Sequence, residues 1–137
     1  MNGTTFTGSI IDAPQVPVRF VAGDSSLPVP EQAPVAFEQL ESELETIRGR
    51  KFYGVVQDGE YRACVAIRPD ESAESFPLFH IPGGRYFCRR MSGFLSDPGR
   101  IGQLVEQLIA RRDFDASRSV IEFYRGHDEL SVRVPIK

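Results

Sequence analysis

Hydrophobic and polar residues alternate in several short runs of this 137-residue chain, a pattern that predicts half-buried β-strands. The clearest run begins at Ser119, turns at Gly126-His127-Asp128, and returns with every second residue apolar as far as Ile136. A second hairpin is predicted from Arg50 to Arg68, because two alternating runs flank Asp58-Gly59, a dipeptide typical of tight two-residue turns.

Two further strands are predicted on either side of the Arg50–Arg68 hairpin. Val16 to Ala22 is a short strand, and its Pro17 favours an edge or bulged position. Phe76 to Met91 is strand-like but is interrupted by Ile81-Pro-Gly-Gly84, which should bend or bulge it. Pro69 to Ser75 are expected to form a charged loop.

Helical spacing of apolar residues predicts two helices. The first should run from Val35 to Arg48, after a loop from Gly23 to Pro34, with a stripe formed by Phe37, Leu40, Leu44 and Ile47. The second should begin with Asp97 as cap and Pro98 at the first helical position. Arg111 and Arg112 in its last turn would suit the helix dipole, and its apolar stripe consists of Ile101, Leu104, Val105, Leu108 and Ile109.

The same order of elements occurs twice, as strand, helix, strand, hairpin turn and strand. Ile67 and Ile136 are 69 positions apart, and the same offset aligns Tyr53 with Glu122. The predicted fold is therefore α+β, with duplicated β-α-β-β units in an antiparallel sheet, both helices on one face, and a central pocket at the pseudo-twofold seam. Residues 1–15 are a polar segment, either a tail or a leading edge strand; residues 16–137 are one domain with halves of about 16–68 and 76–137.

Composition narrows the classes of function. Hydrophobic residues make up 41% and charged residues 26%, as in ordinary globular domains. The net charge of -3 argues against direct nucleic-acid binding. Cys64 and Cys88 lack the spacing of a metal site, so free core thiols are expected. No apolar run approaches a membrane helix and no export signal is present, which predicts a cytoplasmic protein without membrane contact.

Glu122 is the main candidate functional residue. It falls between Val120 and Tyr124 on one strand face, where a carboxylate is costly unless a cation or a hydrogen-bond donor meets it. Two interpretations stay open: an anchor for a cationic ligand, or a carboxylate satisfied by an arginine such as Arg62 or Arg85, or by solvent. Neither a catalytic triad nor a metal-binding motif occurs, so no cofactor and no metal is predicted.

Three segments together resemble the GyrI-like effector-binding superfamily, which includes the ligand-binding domains of many AraC-type and MerR-type bacterial transcription regulators. They are Tyr61–Ile67, Ile81–Tyr86, and Ile121–Tyr124 followed by Glu129–Ile136. The resemblance runs from about Val16 to Lys137. It departs from the family pattern at Gly93-Phe94-Leu95, where relatives often carry a Gly-Pro-Tyr-like sequence. No helix-turn-helix precedes Val16, so a stand-alone copy is expected.

The resemblance implies a central pocket that binds lipophilic, often cationic, small molecules, as in multidrug binding. The family's pocket carries a glutamate in the strand that matches Ile121–Tyr124, which assigns this role to Glu122. Aromatic residues line the family's pocket, and the candidates here are Tyr53, Tyr61, Tyr86 and Tyr124.

Three functions follow from the resemblance. The first is binding of a lipophilic, cationic small molecule for sensing or sequestration. The second is hydrolysis of a reactive, electrophilic xenobiotic, with Glu122 and Tyr53 activating a water between them. The third is a protein-interaction role of the gyrase-inhibitor type. The sequence leaves a protein partner and a homodimer open.

Overall fold

The structure, a computed structural model, describes residues 8–68, 76–126 and 128–137. The predicted charged loop at Pro69–Ser75 and the turn residue His127 lie outside this part. The described elements are β1 (Ser9–Ala13), β2 (Val16–Ala22), α1 (Val29–Ser42), β3 (Phe52–Gln57), β4 (Glu60–Ala66), β5 (Leu78–Ile81), β6 (Gly84–Ser92), α2 (Gly99–Ile109), β7 (Val120–Gly126) and β8 (Glu129–Pro135).

All the strands pair antiparallel in one curled half-barrel sheet, in the order β1-β6-β8-β7-β3-β4-β2-β5. The six central strands mirror each other about the β3–β7 pair, since β6-β8-β7 on one side matches β2-β4-β3 on the other. At the middle of this pair, Gly54 lies opposite Glu122. The predicted α+β fold, built from two β-α-β-β units, is confirmed.

The two faces of the sheet have different surroundings. On the helix face, α1 buries Ala36 and Leu40 against β4, and α2 buries Leu104 and Leu108 against β8. Val56 of β3 packs against both of these clusters, so both helices cover the same face. The inner face holds a third cluster that reaches from β1 to β5, the two edge strands, and includes Val18, Tyr53, Cys64, Ile81, Tyr86 and Ile121. The sheet therefore curls around its inner face.

The first helix begins at Val29, six residues before the predicted start, and ends at Ser42. The predicted start is wrong because prolines, which break the interior of a helix, are accepted at its beginning. Pro28 occupies the N-cap position without a capping hydrogen bond, and Pro30 lies in the first turn, where the missing N–H is not needed. Gln32, fully buried, fixes this turn: its side-chain amide donates to the carbonyls of Leu27 and Gly59 at 2.8 and 3.0 Å, and its Oε1 accepts from the Tyr61 N–H.

Other boundaries also differ from the prediction. Pro17 does not mark an edge, because β5 pairs alongside β2. The break at Ile81–Gly84 does more than bend a strand, since it sends β5 and β6 to opposite ends of the sheet. The polar N-terminal segment contributes the edge strand β1. Arg111 and Arg112 follow α2 rather than lying in its last turn, and no side chain caps its beginning.

The β7–β8 hairpin contains one residue more than the β3–β4 hairpin. On the helix face, Val65 of β4 corresponds to Val134 of β8 at the predicted offset of 69. Gly54 of β3, however, corresponds to Glu122 at an offset of 68, because a register shift between Tyr124 and Gly126 adds a residue to the second hairpin. A shift of one residue changes the face of the sheet to which a side chain points. Tyr53 is therefore not the counterpart of Glu122.

No helix in the described ranges is long and apolar enough to cross a membrane.

The β3–β4 turn provides a test of this topology. Asp58 and Gly59 both have positive φ, 54° and 78°, as a two-residue hairpin turn of this hand requires. We expect Gly59→Ala to lower the free energy of unfolding by about 1–2 kcal/mol through backbone strain. Gly102→Ala, in α2 where an added Cβ meets nothing within 4 Å, should raise it by about 0.5–1 kcal/mol. Urea unfolding measures both; equal effects of the two changes would contradict the assigned turn.

Candidate functional site

Glu122 lies at the centre of the sheet on the helix face, and its side chain is only 7% exposed. Its Oε1 accepts hydrogen bonds from the hydroxyls of Tyr61 and Tyr124, both at 2.8 Å. The two hydroxyl oxygens are 3.3 Å apart. We call Glu122, Tyr61 and Tyr124 the carboxylate cluster. It joins both halves of the fold, since Tyr61 belongs to β4 while Glu122 and Tyr124 belong to β7.

The absence of a side chain at Gly54 makes room for the carboxylate cluster. A Cβ at this position would lie 2.8 Å from Oε1 of Glu122 and 2.6 Å from Cζ of Tyr61, closer than packed atoms approach. Glycine inside a strand often marks such a close approach. Gly54 is thus a structural part of the site that the sequence analysis missed, although a glycine within an alternating apolar run was a usable signal.

Among the described residues, no cation compensates the buried carboxylate. Within the described ranges, no arginine, lysine or histidine forms an ion pair with Glu122, and no group donates a hydrogen bond to its Oε2. Arg62 lies on the inner face and pairs with Glu60 at 3.0 Å. Arg85 is exposed on β6, opposite Asp12 of the edge strand. The interpretation in which either arginine satisfies Glu122 is therefore wrong.

Burial controls the protonation of this cluster. Removal from water raises the pKa of Glu122, although the hydrogen bonds from Tyr124 and Tyr61 act in the opposite direction. Burial and the nearby charge of Glu122 raise the pKa of Tyr61 well above 10.0 and raise that of Tyr124 as well. Both phenols therefore remain protonated donors at neutral pH.

Two phenylalanines, one from each half, cover the carboxylate cluster. The ring centroid of Phe37, on α1, lies 5.3 Å from that of Tyr124 and 6.0 Å from that of Tyr61. The Phe94 ring, from the loop before α2, lies 6.0 Å from Tyr124. These covering phenylalanines contact the tyrosines edge-to-face, an attractive geometry for aromatic pairs. The sequence placed Phe37 in a core stripe and Phe94 in a departure from the family pattern; the fold shows that both rings contact Tyr124.

Of the five predicted site residues, Tyr53 and Tyr86 lie elsewhere. Tyr53 is on the inner face, where it stacks on Phe123 with centroids 4.8 Å apart. Tyr86 also faces inward and donates a hydrogen bond to the Pro82 carbonyl at 2.6 Å. Because the sheet separates Tyr53 from Glu122, the predicted pair that would activate a water between them does not exist.

Neither a metal site nor a reactive thiol is found in the described part of the chain. No group of three or more His, Cys, Asp or Glu residues there is placed to hold a metal ion. Cys64 and Cys88 are free and buried. Burial raises the pKa of Cys64 to about 12, so this thiol is not a nucleophile at neutral pH.

No protein-family model matches the chain, and no curated protein matches it in sequence. Solved structures that share its fold include the following two. An integron cassette protein from the mobile metagenome of Vibrio cholerae has a TM-score of 0.72 and 14% identity, covering 100% of both chains. SAV2435, solved bound to tetraphenylphosphonium, has a TM-score of 0.59 and 13% identity, covering 96% of this chain and 94% of the other. At such identities the similarity establishes the fold alone.

The raised pKa of Glu122 predicts a pH-dependent stability. The folded state keeps the proton of Glu122 above pH 4.5, its ordinary pKa, while the unfolded state releases it, so stability falls as the pH rises through the folded-state pKa. Glu122→Gln removes this dependence. We expect its stability relative to wild type to be greater at about pH 7.5 than at about pH 4.5 in urea unfolding. A difference that is the same at both pH values would contradict the assignment.

Gly54→Ala should disturb the carboxylate cluster directly. The added methyl group meets Tyr61, whose ring is 1% exposed and held by Phe37, so it has little freedom to move. We expect a loss of about 1–3 kcal/mol in the free energy of unfolding, typical of overpacking. The matched control is Gly102→Ala, which adds the same methyl group in open space. Unchanged stability of Gly54→Ala would show that the cluster is not packed as described.

Proposed function

We propose that this protein binds lipophilic cationic small molecules at the carboxylate cluster. The observation that carries the proposal is the buried, uncompensated Glu122, held by two tyrosine hydroxyls through one oxygen. Burying a carboxylate without a cation is unfavourable. This unfavourable free energy is expected at a site where a ligand supplies the missing positive charge.

The surroundings of Glu122 indicate what kind of cation would bind. The rings of Tyr61, Tyr124, Phe37 and Phe94 surround it, so a small hydrated ion would find few ligands, whereas an organic cation would bury apolar surface. Each aromatic face adds a cation–π attraction of about 0.5–2 kcal/mol. The cation bound by SAV2435, which has the same fold, and the resemblance of the sequence to the GyrI-like superfamily support the same class of ligand.

A bulky ligand would have to displace the covering phenylalanines. Phe37 belongs to α1, a helix with features that weaken it: no side chain caps its beginning and Pro34 lies in its interior. An interior proline removes a backbone hydrogen bond and costs about 3 kcal/mol. Pro34 precedes Phe37 by three residues, so a shift of α1 would move this ring from Tyr61 and Tyr124. We assign α1 the role of a movable cover.

The proposed cellular role is sensing or sequestration of such a compound, and the class of transcription regulators that the sequence resembles makes sensing the natural hypothesis. Hydrolysis is not proposed, because the predicted partner Tyr53 lies on the opposite face from Glu122. A protein-interaction role of the gyrase-inhibitor type stays a prediction that these contacts do not address.

Titration with tetraphenylphosphonium tests the proposal. We expect saturable binding to wild type by isothermal titration calorimetry, and an affinity at least about tenfold lower for Glu122→Gln, because the variant lacks the charge that pairs with the cation. The neutral analogue triphenylphosphine oxide should bind both proteins weakly and equally.

The matched control is Tyr53→Phe, which removes a tyrosine hydroxyl from the inner face and should leave cation affinity unchanged. Tyr124→Phe removes one of the two hydroxyls that hold Glu122 and should lower the affinity. Equal affinity of wild type and Glu122→Gln for the cation, or an equal loss in Tyr53→Phe and Tyr124→Phe, would refute this site.

A further inference from the structure

Among the described residues, Arg133 has no ion-pair partner on the inner face, as Glu122 has none on the helix face. Its Nε is buried and has no hydrogen-bond partner. In the described part of the chain its guanidinium makes no ion pair; it lies over the Phe123 ring, 5.0 Å from the ring centroid, and it interacts with the Cys88 side chain. Ile121 pairs with Arg133 and Glu122 with Val132, so the two charges occupy neighbouring rungs and point to opposite faces.

A cavity of about 350 Å³ and one of about 180 Å³ open on the inner face, and Arg133 lines the smaller one. The walls of the smaller cavity include Ser9, Cys88, Ser131 and three arginines, Arg90, Arg125 and Arg133. Glu129 bonds Arg90 at 2.8 Å and Arg125 at 3.3 Å. Arg133, by contrast, takes part in none of the ion pairs among the described residues.

An aromatic ring contacts two of these three arginines. Phe123 lies under both Arg133 and Arg125, whose guanidinium carbons are 5.0 and 5.8 Å from its centroid. Tyr53 stacks on the same ring with an interplanar angle of 19°. Cation–π contacts with Phe123 orient the guanidiniums without using their N–H donors. The cation–π contact therefore leaves N–H donors of Arg133 for a ligand, whereas Nε of Arg125 is already engaged by Glu129.

We propose that the smaller cavity on the inner face binds a small oxyanion, a carboxylate or a phosphate, with Arg133 as its principal ligand. Planar guanidinium groups bind both oxyanions through paired hydrogen bonds. The volume is below the roughly 300 Å³ of pockets for drug-sized ligands, which favours a compact anion. The site is independent of the proposed cation site, because the sheet lies between them.

Amide chemical-shift titration by NMR tests this inference, with inorganic phosphate and acetate as probes at constant ionic strength. We expect saturable shifts at the amides of Cys88, Ser131 and Arg133 with at least one of the probes. Arg133→Gln should abolish them. Arg133→Lys keeps the positive charge but loses the planar guanidinium with its paired N–H donors, and it should weaken binding severalfold. The relative response to the two probes identifies carboxylate or phosphate as the preferred chemistry.

Two controls separate this inference from general electrostatics and from the proposed cation binding. Arg112→Gln removes an exposed arginine after α2 and should leave the shifts unchanged. Glu122→Gln should also bind the oxyanion as wild type does, whatever its effect on cations. Shifts that do not saturate with either probe, or that persist in a folded Arg133→Gln variant, would overturn the proposal.

Discussion

The burial of one carboxylate at the midpoint of the sheet constrains much of what surrounds it. Glu122 fits there because its cross-strand partner is Gly54, which leaves room for the Tyr61 ring. The two tyrosine hydroxyls stabilise it without neutralising it, and the covering phenylalanines from both halves exclude water. Each of these residues helps to accommodate the Glu122 carboxyl group in the interior of the protein. A core built for stability alone would place an apolar side chain there.

The sheet carries its two unusual charges on opposite faces, as the period of two in a β-strand allows. Glu122 faces the helices, while Arg133, on the adjacent strand, faces the inner core with Phe123 and Tyr53. The two faces therefore differ in electrostatic character although they share the same strands. Duplication of a β-α-β-β unit supplies the scaffold, and divergence between the halves places the charges: Gly54 in one half corresponds to Glu122 in the other.

Local patterns predicted those elements whose signals lie close together in the chain. The Asp58-Gly59 hairpin, the C-terminal hairpin and α2 follow from turn residues and apolar spacing, and they lie where expected. The start of α1 was missed, since the same prolines that break a helix interior are accepted in its first turn, and the buried amide of Gln32 holds this turn in place. The start of α1 therefore depends on contacts with the β3–β4 hairpin, which is distant from it in sequence.

The amino-acid sequence alone predicts the fold class and the duplication, and it places Glu122 and Tyr124 on one strand face, because alternation assigns residues to a face wherever the register is regular. Tyr61 was named through the family resemblance. Only the tertiary structure separated Tyr53 and Tyr86 from them and added Gly54, Phe37 and Phe94. For Tyr53, the physical reason is the register shift between Tyr124 and Gly126. One extra residue leaves the hydrophobic pattern of each strand intact, yet it changes which residues of the two halves are equivalent, and this is decided by pairing between strands.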